Sequence, residues 1–270
     1  MTWHVTEDVE QFLTVAGDLL LAEPAVHSVS LTVCENARLR PDGTVFAWWT
    51  EPTGEVTGAV SSTPPYPMVL AAVPEQAIGP LVEQLRPEGV HGPSRLAVQV
   101  AALAARARGG TAWLRHAERL FRLGTLVVPS VAGTARLATD ADLPLLVAWM
   151  HAFVAETGVV ASEIEASVAD RVSYGGYLLW EVDGTPVAMS GHTRIAFGAG
   201  RIGPVYTPPE HRGRGYGAGV TAAASQQLLD RGAREVVLFT DLTNPTSNAL
   251  YPRLGYVPVH DIAILEIMPA

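Results

Sequence analysis

The sequence predicts a mixed α/β protein, an α+β arrangement built around a mixed sheet and made of two similar halves. Three observations carry this. Short apolar, β-branched runs alternate with longer stretches at helical spacing along the whole chain. Gly and Pro, 25 and 20 of the 270 residues, fall mainly between these runs as punctuation. The runs of the second half follow the order β-α-α-β-β-β-α-β-α-β, and the first half echoes that order with two helices, strands, then helix, helix and strand.

In the first half, Glu7 to Leu21 reads as a helix, with Val9, Phe12, Leu13, Ala16, Leu19 and Leu20 at helical spacing and Thr6 as N-cap. Pro24 ends it. Ala25 to Arg38 is β-branched but long, and is read as a second helix. Pro41-Asp42-Gly43 is a turn. Val45 to Glu51, Val56 to Ser62 and Met68 to Val73 are strands, the first two joined by Pro52-Thr53-Gly54. Pro74 opens a helix to about Leu85, Gly89 to Gly92 reads as a loop, and Pro93 to Arg108 is an Ala-rich helix. Thr111 to Leu123 is a long strand. Gly124 to Gly133, with Pro129 inside it, reads as a connecting segment. The expected division is therefore a domain over 1–125, a linker over 126–133 and a second domain over 134–270.

The second half opens with a short strand, Arg136 to Thr139. Asp140 or Thr139 caps a helix with Leu143, Leu146, Val147, Met150 and Val154 on one face. Ser162 opens the next helix, which Gly175-Gly176 ends. Strands Tyr177 to Val182 and Pro186 to Arg194 are joined by Asp183-Gly184, a hairpin signal. Arg201 to Thr207 is a strand stopped by Pro208-Pro209, since neither proline can donate to a ladder. A helix follows, with Val220, Ala224 and Leu228 four residues apart and Gly232 as its stop. Val236 to Thr240 is the next strand.

Between that strand and helix lies Arg212-Gly213-Arg214-Gly215-Tyr216-Gly217. Three glycines let the backbone approach a ligand and turn successive N–H groups inward. The following helix adds its positive end, and Arg212 and Arg214 can add charge-assisted bonds to phosphate oxygens. Physically this is a cradle for a phosphate or diphosphate. Gly213-x-Gly215-x-x-Ala218 also fits a dinucleotide fingerprint, with Asp241 as the ribose-binding acid. Against that reading, Pro208-Pro209-Glu210-His211-Arg212 separate the strand from the glycines, and other elements precede the unit.

Arg212-x-x-Gly215-x-Gly217 resembles the Q/R-x-x-G-x-G/A motif of the GNAT acyltransferases, which move acetyl groups from acetyl-CoA to amines. The resemblance extends from IGPVYTPPEHRGRGYG through LFTDLTNPTSNALYPRLGY. It implies two GNAT-like acyl-CoA N-acyltransferase folds in tandem. The first would be degenerate, because Pro74-Glu75-Gln76-Ala77-Ile78-Gly79 stands where the Arg/Gly loop is expected. Thr63-Pro64-Pro65 echoes Thr207-Pro208-Pro209. The resemblance further implies acetyl-CoA as co-substrate. Arg212, Gly213, Arg214, Gly215, Tyr216 and Gly217 would bind its diphosphate. Val205, Tyr206 and Thr207 would meet the acyl carbonyl through their backbone, and Asn244 and Asn248 would bind the cofactor. Tyr251 would be the general acid for the CoA thiolate. The base is left open among Glu156, Glu181, His192, Asp241 and water.

The expected activity is acetyl transfer to the primary amine of a small molecule by direct attack. The rivals are a peptide or protein amine, a two-copy synthase acetylating a sugar-linked cysteine adduct, and a non-catalytic acyl-CoA-binding regulator. A dehydrogenase ranks last. A net charge of −9 argues against a nucleic-acid partner and suits a cationic amine. No apolar run is long enough to span a bilayer, so no membrane partner is expected. No secretion signal is read at the first residues, and Cys34 stands as the single cysteine, which together point to a cytoplasmic protein. The eight histidines show no ligand spacing, so no metal is expected. Monomer and homodimer both remain open.

Overall fold

The computed structural model describes residues 1–39, 43–159 and 161–268. The turn expected at Pro41-Asp42-Gly43 lies, but for Gly43, outside them. Short 3₁₀ turns aside, the described residues form two series of elements in one repeated order. The first is β1 (Thr2–Thr6), α1 (Val9–Ala22), α2 (Ser28–Leu39), β2 (Val45–Thr50), β3 (Val56–Ser62), β4 (Met68–Ala72), α3 (Ile78–Leu85), β5 (Gly89–Pro93), α4 (Ser94–Ala107) and β6 (Thr111–Leu123). The second is β7 (Thr134–Leu137), α5 (Leu143–Thr157), α6 (Ile164–Ser173), β8 (Tyr177–Val182), β9 (Thr185–His192), β10 (Ala199–Tyr206), α7 (Tyr216–Asp230), β11 (Glu235–Asp241), α8 (Pro245–Arg253) and β12 (Tyr256–Met268).

The chain divides into two compact units, one of residues 1–120, 240–245 and 258–270, the other of residues 121–239 and 246–257. These are cut differently from the expected 1–125, 126–133 and 134–270. The stretch read as a linker is bonded into the second unit. Gly124 N–H donates to Gly255 O at 2.9 Å and Val127 N–H to Leu254 O at 3.0 Å. Trp180 Nε1 donates to Ala132 O at 2.9 Å. Conversely, most of β12 belongs to the first unit, because it pairs antiparallel with β5 from Ile262↔Pro93 to Glu266↔Gly89.

In the first unit, β1 to β4 pair antiparallel in sequence, and β4 pairs parallel with β5. Two elements here differ from the sequence reading. β1 was not anticipated; five residues are too few to show a period. It is fixed by Trp3, 3% exposed, whose Nε1 donates to Ala77 O at 3.0 Å. Residues 89–92, read as a loop for their glycines, are strand β5. A Cβ on Gly92 would lie 2.8 Å from Leu70 Cβ, and one on Gly89 3.0 Å from Leu265 O. The glycines there permit close strand approach rather than a turn. At α1 the cap is Asp8, not Thr6: its carboxylate accepts from Glu10 N at 2.9 Å and Gln11 N at 3.2 Å. The core gathers Trp49, Leu70, Leu81, Val90, Val100 and Leu265.

In the second unit the pattern recurs: β7, β8, β9 and β10 pair antiparallel, and β10 pairs parallel with β11. Period-two alternation sends Leu178 and Trp180 to one face with α7, and Tyr177 and Leu179 to the other with α5 and α6. Each fully buried leucine, such as Leu228 or Leu146, contributes roughly 1.5–3 kcal/mol. α7 approaches the sheet closely because Gly219 faces Trp180, where a Cβ would lie 2.9 Å from the ring.

Candidate active site

The site begins with a break in β10. Against β9 the register runs Ile202↔His192, then Val205↔Ser190 and Tyr206↔Met189. Gly203 and Pro204 thus stand opposite Gly191 alone, a β-bulge, which bends the strand that carries it. Against β11 the parallel register runs from Ala199↔Glu235 to Ile202↔Leu238 and stops there. Beyond the bulge, among the described residues, β10 has no ladder partner on the β11 side. Its backbone is an edge available to an extended ligand. Val205 packs toward the cluster that holds Tyr251, and Tyr206 toward the cluster of α5 and α6.

The chain then turns through Pro209–His211 into the glycine loop. Gly213 (φ 75°) and Gly215 (φ 83°) both take the left-handed conformation that glycine tolerates best. Gly215 is the N-cap of α7 and brings no side-chain cap. The first N–H groups of this 15-residue helix are left to water or a ligand, at its positive end. A Cβ on Gly217 would lie 3.4 Å from Thr207 Oγ1, and one on Gly215 3.1 Å from Val131 Cγ2. The loop is thus a cradle that side chains would narrow, and its donors fit a diphosphate.

The two arginines differ. Arg214 is exposed and makes no ion pair among the described residues. Arg212 is already engaged: Nε donates to Thr207 O at 2.8 Å, and Nη2 donates to Glu156 Oε1 at 2.9 Å and Oε2 at 2.6 Å. Glu156, in the last turn of α5, also accepts from the Tyr206 hydroxyl at 3.1 Å. The Tyr216 side chain is 7% exposed and packs in the apolar core, so only its backbone borders the loop.

Tyr251 is buried in α8, its ring 6.0 Å from those of Phe121 and Tyr256. Burial pushes its hydroxyl up from 10 to about 12, against a hydrogen bond with Ser247. Such a phenol stays protonated at neutral pH. Asn248 is half-buried on the same helix, whereas Asn244 is exposed and falls in the other unit.

Three of the four candidate bases are committed elsewhere. Glu181 accepts from Arg136 Nε at 2.7 Å. Asp241 accepts from Thr243 N and Oγ1, both at 2.6 Å, in a turn of the other unit. His192 is 1% exposed, with Nδ1 2.8 Å from Thr193 O and Nε2 3.2 Å from Gln227 Oε1. Burial holds its pKa below the usual value, outweighing both bonds. Glu156 alone is brought to the free end of β10. Trp149, whose ring lies 6.3 Å from that of Tyr206, was not among the expected residues. At its position in α5 it reads as one more apolar residue, and only the strand shows what it flanks. Among the described residues no group of three His, Cys, Asp or Glu could hold a metal ion, and no helix is long and apolar enough to cross a membrane.

Residues 134–256 match the model of the acetyltransferase (GNAT) family. A mycothiol acetyltransferase of Catenulispora acidiphila is 35% identical over 68 residues, 24% of this chain and 22% of that protein. One of Thermobispora bispora is 36% identical over 87 residues, 30% of each chain. The chain thus spans less than a third of the length of these curated relatives. Among solved structures, a GNAT-family acetyltransferase from Colwellia psychrerythraea superposes with a TM-score of 0.65 at 12% identity, covering 99% of this chain and all of that one. A GCN5-related N-acetyltransferase from Sphaerobacter thermophilus gives 0.65 at 18% identity, covering 99% and 96%. At these identities the structural likeness shows the fold alone. The match to the acetyltransferase (GNAT) family model thus covers residues 134–256, less than half of the chain.

Proposed function

We propose that the protein is an acetyl-CoA-dependent N-acetyltransferase acting on the primary amine of a small molecule by direct attack. The observation that carries this reading is the bulged end of β10 followed, after the turn Pro209–His211, by a left-handed glycine loop and the uncapped start of α7. One edge offers backbone donors to an acyl carbonyl; the next offers them to a diphosphate. The names of the curated relatives support a small-molecule acceptor.

Bound acetyl-CoA would supply an activated acetyl thioester. A backbone N–H group among Val205, Tyr206 and Thr207 that faces away from β9 would donate to the carbonyl oxygen as charge develops there. Arg212, Arg214 and the N–H groups around Gly213, Gly215, Tyr216 and Gly217 would hold the diphosphate, with Asn248 as a further cofactor contact. Tyr251, protonated at neutral pH, would give its proton to the departing sulfur. Glu156, or water beside it, would take the proton of the amine.

The first unit is proposed to be a degenerate copy of the same fold. It repeats the element order and the change from antiparallel to parallel pairing at its fourth strand. Where the loop would be, it has Glu75–Ala77, whose Gln76 is bonded to Glu51 at 2.8 Å. One CoA per chain is expected.

Incubation with acetyl-CoA and a panel of amines, read by mass spectrometry, tests the proposal. Wild type should acetylate at least one amine. The double variant Arg212→Glu, Gly215→Glu should lose both CoA binding in calorimetry and turnover. Unchanged CoA affinity in that variant would sink the assignment of the loop.

A further inference from the structure

We propose that Arg171 is a positioning residue for this reaction: its guanidinium holds the bulge of β10 at Gly203 and so sets where residues 205–207 lie. The catalytic meaning rests on the acetyl-transfer reading above; the bulge-holding role does not.

Arg171 lies in the last turn of α6. Its Nη1 donates to the carbonyl oxygen of Gly203, the first of the two bulge residues that face Gly191. A bulge takes its extra residue out of the ladder, so that residue's polar groups need partners from elsewhere. A guanidinium supplies a charge-assisted bond, stronger than a neutral one. The space for it is made on β9. A Cβ at Gly191 would lie 2.9 Å from Arg171 Nη1, 2.9 Å from Tyr177 Cε1 and 3.0 Å from Gly203 O. Any side chain at 191 would therefore push against the guanidinium or the bulge. The Tyr177 ring centroid lies 5.8 Å from the guanidinium carbon. The Arg171 main chain is fixed as well, its carbonyl accepting from Gly176 N at 2.7 Å.

The acid beside it is spoken for. Asp170 pairs with Arg194 at 2.7 Å, and among the described residues Arg171 makes no ion pair. Its charge is directed at a backbone carbonyl of the bulge. The bulge is also where β10 loses its register with β11, at Ile202↔Leu238. Residues 205–207 follow within a few positions; among the described residues they have no ladder partner on the β11 side, and are held by β9 at Val205↔Ser190 and Tyr206↔Met189 and by Arg212 Nε at Thr207 O. A shift at Gly203 is thus passed directly to the donors expected at the acyl carbonyl.

The test uses the full chain in four forms: wild type, Arg171→Met, Arg171→Lys and Gly191→Ala. The readouts are kcat for an amine that wild type acetylates, Kd for CoA by calorimetry, and rescue by millimolar guanidinium chloride against a potassium chloride control. Arg171→Met should lower kcat about 100-fold, the scale of a 1 Å misplacement. Its Kd for CoA should stay within about threefold, since the loop is untouched. Guanidinium should restore at least about tenfold of the lost rate, and Arg171→Lys should retain more activity than Arg171→Met. Gly191→Ala should reproduce the loss with Arg171 intact. An unchanged kcat in Arg171→Met, or equal losses of kcat and CoA affinity without guanidinium rescue, would overturn the proposal. Should wild type acetylate no amine, the functional reading fails, and Arg171 is judged on amide hydrogen exchange across 203–207. Exchange at least about tenfold faster in Arg171→Met, slowed again by guanidinium, supports the bulge-holding role. Equal exchange refutes it.

Discussion

Arg212 Nη2 lies 2.9 and 2.6 Å from the two carboxylate oxygens of Glu156, joining the first residue of the glycine loop to the last turn of α5. Both side chains are nearly half exposed, 47% and 43%. Solvent screening limits such a pair to about 1 kcal/mol or less.

Removing the Glu156 charge should therefore leave stability almost unchanged and release Arg212 for phosphate. Glu156→Gln is expected to shift the melting temperature little and to tighten CoA binding by up to roughly fivefold. Calorimetry decides. Weaker binding in the variant would mean that Glu156 holds Arg212 in its binding position instead of competing for it.

Tyr251→Phe should lower kcat by about 100-fold or more while leaving CoA affinity within about threefold. Burial pushes the hydroxyl to about 12, so the wild-type rate should show no loss of this proton donor below about pH 11. The same shift bears on stability. The folded-state value lies above the unfolded one, so the contribution is complete below pH 10 and is lost as pH rises toward about 12. Urea unfolding at neutral pH and near pH 11 should show roughly 1–3 kcal/mol less stability at the higher pH, and Tyr251→Phe should lessen that loss. Burial raises Tyr256 as well, so some alkaline loss should persist in the variant.

His192 gives the opposite dependence. Burial lowers its pKa from 6.5, so the unfolded chain binds the proton more readily than the folded one. Its contribution is present above about pH 6.5 and is lost as pH falls through the lowered folded-state value. Denaturant midpoints measured from pH 7.5 down to 5 should decline, and His192→Gln should decline less steeply. Parallel slopes would show that other groups set the acid limb.

Gly255→Ala should be among the most damaging small substitutions. Gly255 has φ 91°, and its added Cβ would lie 1.8 Å from the carbonyl oxygen of Thr125, a backbone atom with no rotamer to yield. The change also disturbs the Gly124 N to Gly255 O bond of 2.9 Å. A loss of about 3 kcal/mol or more is expected in equilibrium unfolding, with CoA affinity preserved in whatever fraction folds.

Much of this was legible in the chain because the signals are local. The strands Thr111–Leu123 and Tyr177–Val182 stand where period and punctuation put them. The left-handed Gly213 and Gly215 follow from the steric freedom that a turn into a helix requires. Glycine's local meaning was ambiguous at 89–92, where it marks close packing of strands and not a turn, and a terminal strand as short as Thr2–Thr6 shows no period at all.

The amino-acid sequence by itself determined the order of helices and strands in the second half and the glycine turn into α7, because backbone freedom and hydrophobic spacing are properties of neighbouring residues. Tertiary structure alone decided that Arg212 rests on Glu156, that Arg171 reaches Gly203, and that the chain's last strand completes its first unit. Each of these joins residues distant in sequence, 56 apart for Arg212 and Glu156 and 32 for Arg171 and Gly203. Such contacts are set by strand register and helix packing, which no short window of sequence contains.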